Sequence, residues 1–159
     1  MKKPQSLRDF LTDALPELAR DPDRLLVFID RGSLVATMAP GQSFEYSFTL
    51  NLIVTDYAGH PDAVMVPLLD WIRINQPELL ANPKQRGQIA FEADILANDK
   101  IDLDIKLPLT ERVGVHRDAE GVVTVEHYCE PTIDAPCPPR HWKLYLQEEL
   151  LAEWDAPGG

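Results

Sequence analysis

Between residues 44 and 54 the chain reads FEYSFTLNLIV. Phe44, Tyr46, Phe48, Leu50, Leu52 and Val54 alternate with Glu45, Ser47, Thr49 and Asn51, and Ile53 alone breaks the polar phase. Successive side chains of a strand point to opposite faces, so this pattern predicts a strand with one face on a core. It is much longer than the roughly five or six residues of a typical strand. Three further stretches alternate: QIAFEADIL at 88–96, IDLDIKL at 101–107 and VVTVEHY at 122–128. The polar turn Asn98-Asp99-Lys100 between the first two predicts an antiparallel hairpin. The turn at Asp118 to Gly121 adds the third and predicts a meander. LLVFI at 25–29 is a continuous apolar run and predicts a short buried strand. Asp30-Arg31-Gly32 then reads as a turn, SLVATM at 33–38 as a second short strand, and Pro40-Gly41 as another turn.

Helical spacing replaces alternation in two places. In SLRDFLTDALPELAR (6–20), Leu7, Phe10, Leu11, Ala14, Leu15 and Leu18 fall on one face. Ser6 is the expected N-cap, with Asp9 three residues on in the position of a capping box. Pro16 predicts a kink or a break into two short helices, and Asp21-Pro22 ends the element. The second helix is PDAVMVPLLDWIRINQ (61–76), with Pro61 and Asp62 suited to its first turn. Val64, Leu68, Trp71 and Ile72 form its apolar stripe, with Met65 and Leu69 alongside. Pro67 threatens a kink and Pro77 sets the end. His60 belongs to the turn into this helix.

The C-terminal part differs in kind. EPTIDAPCPPR (130–140) has four prolines, which excludes a central strand or a helix interior and reads as an extended arm. WKLYLQEELLAEW (142–154) begins as a strand through Leu146. The remainder fits either a returning strand or a short helix, since Glu148 to Glu153 are good helix formers. The PGG tail is expected to fray.

The fold expected is a single α+β domain with a mostly antiparallel sheet of about five strands and two helices packed on one face. A C-terminal arm and strand pair complete it. The core spans 1–129, and 130–159, the arm and strand pair, packs on the same domain. A length of 159 residues fits one domain and a core that needs no staples. No run of about 18 apolar residues is present, which argues against a membrane helix. MKKPQSLRDF lacks the apolar centre of a signal peptide, so residence in the cytosol is expected. Cys129 and Cys137 are then expected to be reduced thiols. A net charge of −11 and a pI near 4.7 repel nucleic-acid phosphates and argue against DNA reading.

Two constellations carry candidate chemistry. If the long strands are neighbours, Glu45, Glu92, Asp94, Asp102 and Asp104 share one sheet face. Paired carboxylates there can hold a divalent cation or act as general acid and base, as in a metal-dependent hydrolase. The plainer reading is a wet face of a half-buried antiparallel sheet. His127, Cys129, Cys137 and His141 are residue types that zinc prefers, but no C-x₂-C pair is present and the proline segment intervenes. The plainer reading is two incidental thiols near two surface histidines. No nucleophile elbow, phosphate loop or dinucleotide fingerprint occurs. No catalytic, cofactor-binding or metal-ligating residue is therefore assigned. Trp142, Tyr145 and Trp154, which follow the arm, are of the type that anchors interfaces. With Ile53 they form the candidate interface set, and closure of the local core is the alternative for the aromatics.

SLRDFLTDAL, SFEYSFTLNLIVTDY, VPLLDWIRINQPEL, FEADI, LPLTERV and LYLQEELLAEWD occur in this order. Through that ordered set, over about residues 5–155, the chain resembles the tail completion protein R family of contractile-tailed temperate phages. Relatives often have a glycine-containing turn in the last hairpin, where this chain has Gln147-Glu148. The resemblance implies a non-enzymatic, tail-terminator-like protein without cofactors, located in the virion tail after assembly in the host cytoplasm. It implies a protein that caps the head-proximal end of the tail tube and prepares it for head joining. It further implies self-association into a ring, a hexamer as in tail terminators, and contacts with tail tube and neck or connector proteins. A ring of acidic subunits would present a repulsive lumen, so DNA would pass without specific binding.

Overall fold

The computed structural model describes residues 1–37, 41–85, 87–96, 99–131 and 141–155. The chain opens with helices α1 (Lys3–Ala14) and α2 (Pro16–Arg20) and a single 3₁₀ turn, Pro22–Arg24. Strands β1 (Leu25–Ala36) and β2 (Phe44–Tyr57) follow, then helices α3 (Pro61–Asn75) and α4 (Glu78–Ala81). Strands β3 (Ala90–Ile95), β4 (Ile101–Arg117), β5 (Val123–His127), β6 (His141–Leu146) and β7 (Glu149–Asp155) complete it. The fold is α+β, with a five-stranded antiparallel sheet of β1 to β5 and a separate β6–β7 pair.

The break after α1 is the work of Pro16. Its ring disfavours helical geometry at the preceding residue, and Leu15 is extended at φ −111°, ψ 111°. Ser6 does not cap α1. The helix begins earlier, at Lys3, with Pro4 in its first turn, and Ser6 Oγ instead accepts the Trp71 indole N–H at 3.2 Å. Asp9 accepts from the Gln5 amide at 2.7 Å, one turn back, in place of a capping box. His60, in the turn into α3, is its N-cap: the Asp62 N–H donates to His60 Nδ1 at 3.2 Å. Pro67 is tolerated inside α3 and is buried.

The strand order is β1-β2-β4-β3, with β5 also on β4. Here the meander expectation is corrected. β4 is 17 residues long and runs well past Leu107. One of its edges pairs with β2 along 101–113. The other carries β3 along 101–106 and β5 along 113–117, end to end. β1 is also longer than expected. Residues 25–36 form one strand, and the supposed turn at Asp30 is a bulge where the register slips between Ile29 and Arg31. A bulge bends a strand without ending it.

Between β3 and β5, residues 107–112 of β4 have no strand neighbour on that edge. Pro108 sits in this gap. The Thr110 N–H points the same way as the missing Pro108 donor, and it bonds to Gln76 Oε1 at 3.1 Å. The same Gln76 oxygen accepts from Lys3 Nζ, and its nitrogen donates to Thr110 Oγ1 and Glu78 Oε2. All of the amide's hydrogen-bonding capacity is therefore used, which is why a glutamine can be 2% exposed.

One sheet face is dry. Phe48, Leu50, Leu52 and Val54 of β2 and Leu103, Ile105, Leu107 and Leu109 of β4 are buried under α1 and α3. Leu7, Leu11 and Ala14 of α1 and Val64, Leu68, Trp71 and Ile72 of α3 supply the opposite wall, while Leu69 stays exposed. Each such side chain contributes about 1.5–3 kcal/mol by leaving water. β7 lies on the far side of the helices, where Ala152 and Trp154 join the same core. The molecule thus has three layers: sheet, helices, hairpin.

Candidate interaction surfaces

Two surfaces and one buried network hold the side chains of interest. The network is centred on Glu111. Residues 103, 105, 107, 109, 111, 113 and 115 share the dry face, and all but this glutamate are apolar. Glu111 is 1% exposed. Its carboxylate accepts the N–H groups of Lys2 at 2.7 Å and Lys3 at 3.2 Å, so it meets the positive end of α1. His127 Nδ1 bonds to the same carboxylate. Burial pushes the Glu111 pKa up. The two N–H groups, His127 and the amino terminus together outweigh that and hold it below the usual carboxylate range. Lys3 Nζ continues the network to Glu130 at 2.9 Å, and Arg112 reaches Glu130 from the other side at 3.4 Å. The start of the proline arm is therefore tied to the N-terminus of α1. Alternation that stops being apolar at one position was the signal for this site.

The outer hairpin is the first surface. Trp142 lies opposite Trp154, Lys143 opposite Glu153 and Leu144 opposite Ala152. Trp154 is 7% exposed and its indole N–H donates to Asp70 at 3.1 Å, so it closes the subunit's own core. Trp142 and Tyr145 are 41% and 53% exposed, and Leu146 and Leu150 are also uncovered. The remainder after Leu146 returns as a strand, not a helix. The turn forms without glycine because Gln147 takes the left-handed conformation, φ +55°. On the hairpin, His141 bonds Asp155 at 2.9 Å and Glu153 at 2.6 Å. These two carboxylates, Asp155 first, raise the His141 pKa, and His141 in turn lowers that of Glu153.

The open side of the main sheet is the second surface. Ile53 stands between Leu26 of β1 and Asp104 of β4, and Asn51 between Phe28 and Lys106. Ile53 lies in regular ladder, and the bend comes later, at Asp56 with φ +52°. LLVFI is therefore not buried on both faces: Leu26 and Phe28 point to the open side and are exposed. Among the described residues no layer covers them. The oxygens Asn51 Oδ1 and Asp104 Oδ1 are buried without a hydrogen-bond partner among the described residues. An unmet buried acceptor costs about 1–3 kcal/mol.

The expected carboxylates do share this open face, in the pairs Glu92–Asp104 and Asp94–Asp102, with Glu45 at the far end opposite Arg112. Three of them are engaged structurally. Asp102 accepts the Asp56 N–H at 2.7 Å, and Lys106 lies 3.6 Å from Glu92 and 3.9 Å from Asp104. His127 and His141 belong to the two separate networks above. Cys129 is exposed, and Cys137 lies outside the described residues. Among the described residues no three His, Cys, Asp or Glu side chains converge as a metal site. No helix among them is long and apolar enough to cross a membrane.

Comparison with known proteins agrees with a structural role. The family model for the P2 phage tail completion protein R (GpR) matches residues 1–131. Tail completion protein R of Escherichia phage P2 is 42% identical over 156 residues, covering 98% of this chain and 99% of that protein. No solved structure matches. The hydrolase alternative falls with this assignment, since the family is one of structural tail proteins and not of enzymes. The chain belongs to the P2 phage tail completion protein R family, the structural proteins of phage tails whose name describes completion of the tail.

Proposed function

We propose that the protein completes the tail by capping the head-proximal end of the tail tube as a ring, hexameric in the reading favoured here. It then presents that end to neck or connector proteins. The cytoplasm of the host is the place of assembly. The single observation that supports a ring is that the subunit has two unlike uncovered surfaces in different layers. One is the hairpin with Trp142, Tyr145, Leu146 and Leu150, the other the open sheet side with Leu26, Phe28 and Ile53. A closed ring of identical subunits needs two different complementary patches on each copy. The net charge of −11 suits a lumen through which DNA slides without sticking. Residues 130–159, the arm and hairpin, are read as the part that meets neighbours, and 1–129 as the body.

Electron microscopy of tails made with and without the protein tests this reading. Tails of irregular length that fail to join heads are expected in its absence. Uniform tails that still join heads would overturn it.

A further inference from the structure

Among the described residues, β6 and β7 pair only with each other, and no main-chain ladder joins them to the large sheet. A two-stranded hairpin standing alone is marginal in water, so this one depends on what it docks against. Its seat is on α1 and α3. Ala152 is fully buried there, Trp154 is 7% exposed, and Leu144 and Leu151 pack beside them. The Trp154 indole N–H reaches Asp70 of α3 at 3.1 Å. These contacts join residues after 140 to helices that end by Asn75. The seat is open at one end. Asp13 of α1 and Glu153 and Asp155 of β7 line one cavity of about 470 Å³, walled by Phe10 and Leu150. Carboxylates gathered across a seam repel one another and weaken the docking there.

Residues 131–140 connect the hairpin to the body, and four of these ten are proline. A proline-rich chain favours an extended form of about 3.1 Å per residue, so a segment of this length reaches about 31 Å. The span within one subunit is shorter. Glu130 is held by Lys3 at the start of α1, and His141 lines the same cavity as Asp13 near the end of that helix. The twelve residues of α1 measure about 18 Å. The connection therefore has the reach to seat its hairpin on a second molecule as well as on its own.

We propose that on assembly the β6–β7 hairpin of each copy leaves its own α1 and α3 and docks on those of a second copy. The segment that fills the seat is the same in either case. The complementarity is therefore the one present within the subunit, with Trp154 buried and Asp70 as its acceptor. Exchange of an identical element is a low-cost route to association, because the interface is already built. That suits copies with a net charge of −11, which repel one another as they approach. Passing each hairpin to the next copy is a head-to-tail contact of the kind that closes into rings. The inference rests on the reading of the protein as a self-assembling tail component and names the segment that links its copies.

The test uses full chains carrying Cys129→Ser and Cys137→Ser, with new cysteines at exposed positions on the two sides of the seam. One chain has Asp13→Cys, a second has Asp155→Cys, and a third has both. A short bis-maleimide is expected to link the third chain internally when it is dilute. The first two, unfolded together and refolded at about 1 mM, the weak end of specific association, are expected to give a product of doubled mass. The same product is expected when the mixture is added to tails lacking the protein. Either chain alone is expected to give none. An internal link with no doubled mass in solution or on tails overturns the proposal. So does a doubled mass that each chain gives equally well alone, and so does failure of both links, since the hairpin then has no seat on these helices. The third chain, linked internally beforehand, separates the two readings. It is expected to lose the ability to complete tails. Full completion by this locked chain overturns the exchange and leaves the tail role standing. Tails that never needed the protein remove the tail role and leave an exchange measured in solution standing.

Discussion

At Glu111 a carboxylate occupies a position that alternation reserves for an apolar side chain, and it is buried because three donors converge on it. Its pKa is lower folded than unfolded, so the stability it contributes is present above the unfolded carboxylate range and lost as pH falls through the folded value. Glu111→Gln is expected to cost about 1–2 kcal/mol at neutral pH and to flatten the acid limb below about pH 4.5, as measured by denaturant titration at several pH values. His141 behaves in the opposite sense. Asp155 and Glu153 raise its pKa, so their support of the hairpin is complete below the ordinary histidine value and fades as pH rises through the folded one. NMR titration should place His141 above an ordinary histidine, and Asp155→Asn with Glu153→Gln should return it there. Gln147 pays no steric penalty only if it becomes glycine: Gln147→Gly is expected to stabilise the hairpin by about 0.5–1 kcal/mol, read as a shift in the denaturation midpoint.

At the scale of elements, Trp154 holds the hairpin to the helices. Trp154→Ala is expected to cost about 3 kcal/mol, whereas Trp142→Ala and Tyr145→Ala should leave the denaturation midpoint nearly unchanged, as their exposure implies. The elements whose periodicity is strong, β2, α3 and the β3–β4 hairpin, were legible in the sequence because one dry face imposes one period. The length of β4 was not, since Pro108 and Glu111 break both the propensity and the polarity of its second half. Pro108 is permitted only because the strand edge there faces a glutamine and no strand. The continuity of β1 was hidden for a related reason: a bulge at Asp30 has the same local composition as a turn. LLVFI was misleading in a more useful way. A continuous apolar run means apolar side chains on both faces, and here the second face is left uncovered by the rest of the described chain.

For the molecule as a whole, the candidate surfaces were only partly legible. The aromatics of the hairpin could be named from sequence, but not that Trp154 turns inward while Trp142 and Tyr145 do not, because that depends on which hairpin face meets α1 and α3. Ile53 stood out as an off-phase residue, yet its companions Leu26 and Phe28 come from a strand whose register no local pattern reveals. The same long-range registry has a practical consequence at Gln76. The Thr110 amide belongs to the sheet, but its acceptor is a side chain at the end of α3. Its hydrogen can exchange with deuterated solvent only when the helical layer lifts from the sheet or the sheet itself opens. Compared with neighbouring amides bonded to β2, the exchange rate at Thr110 is a clock for the docking of one layer on another, and it can be read in the free subunit and again in the assembled tail.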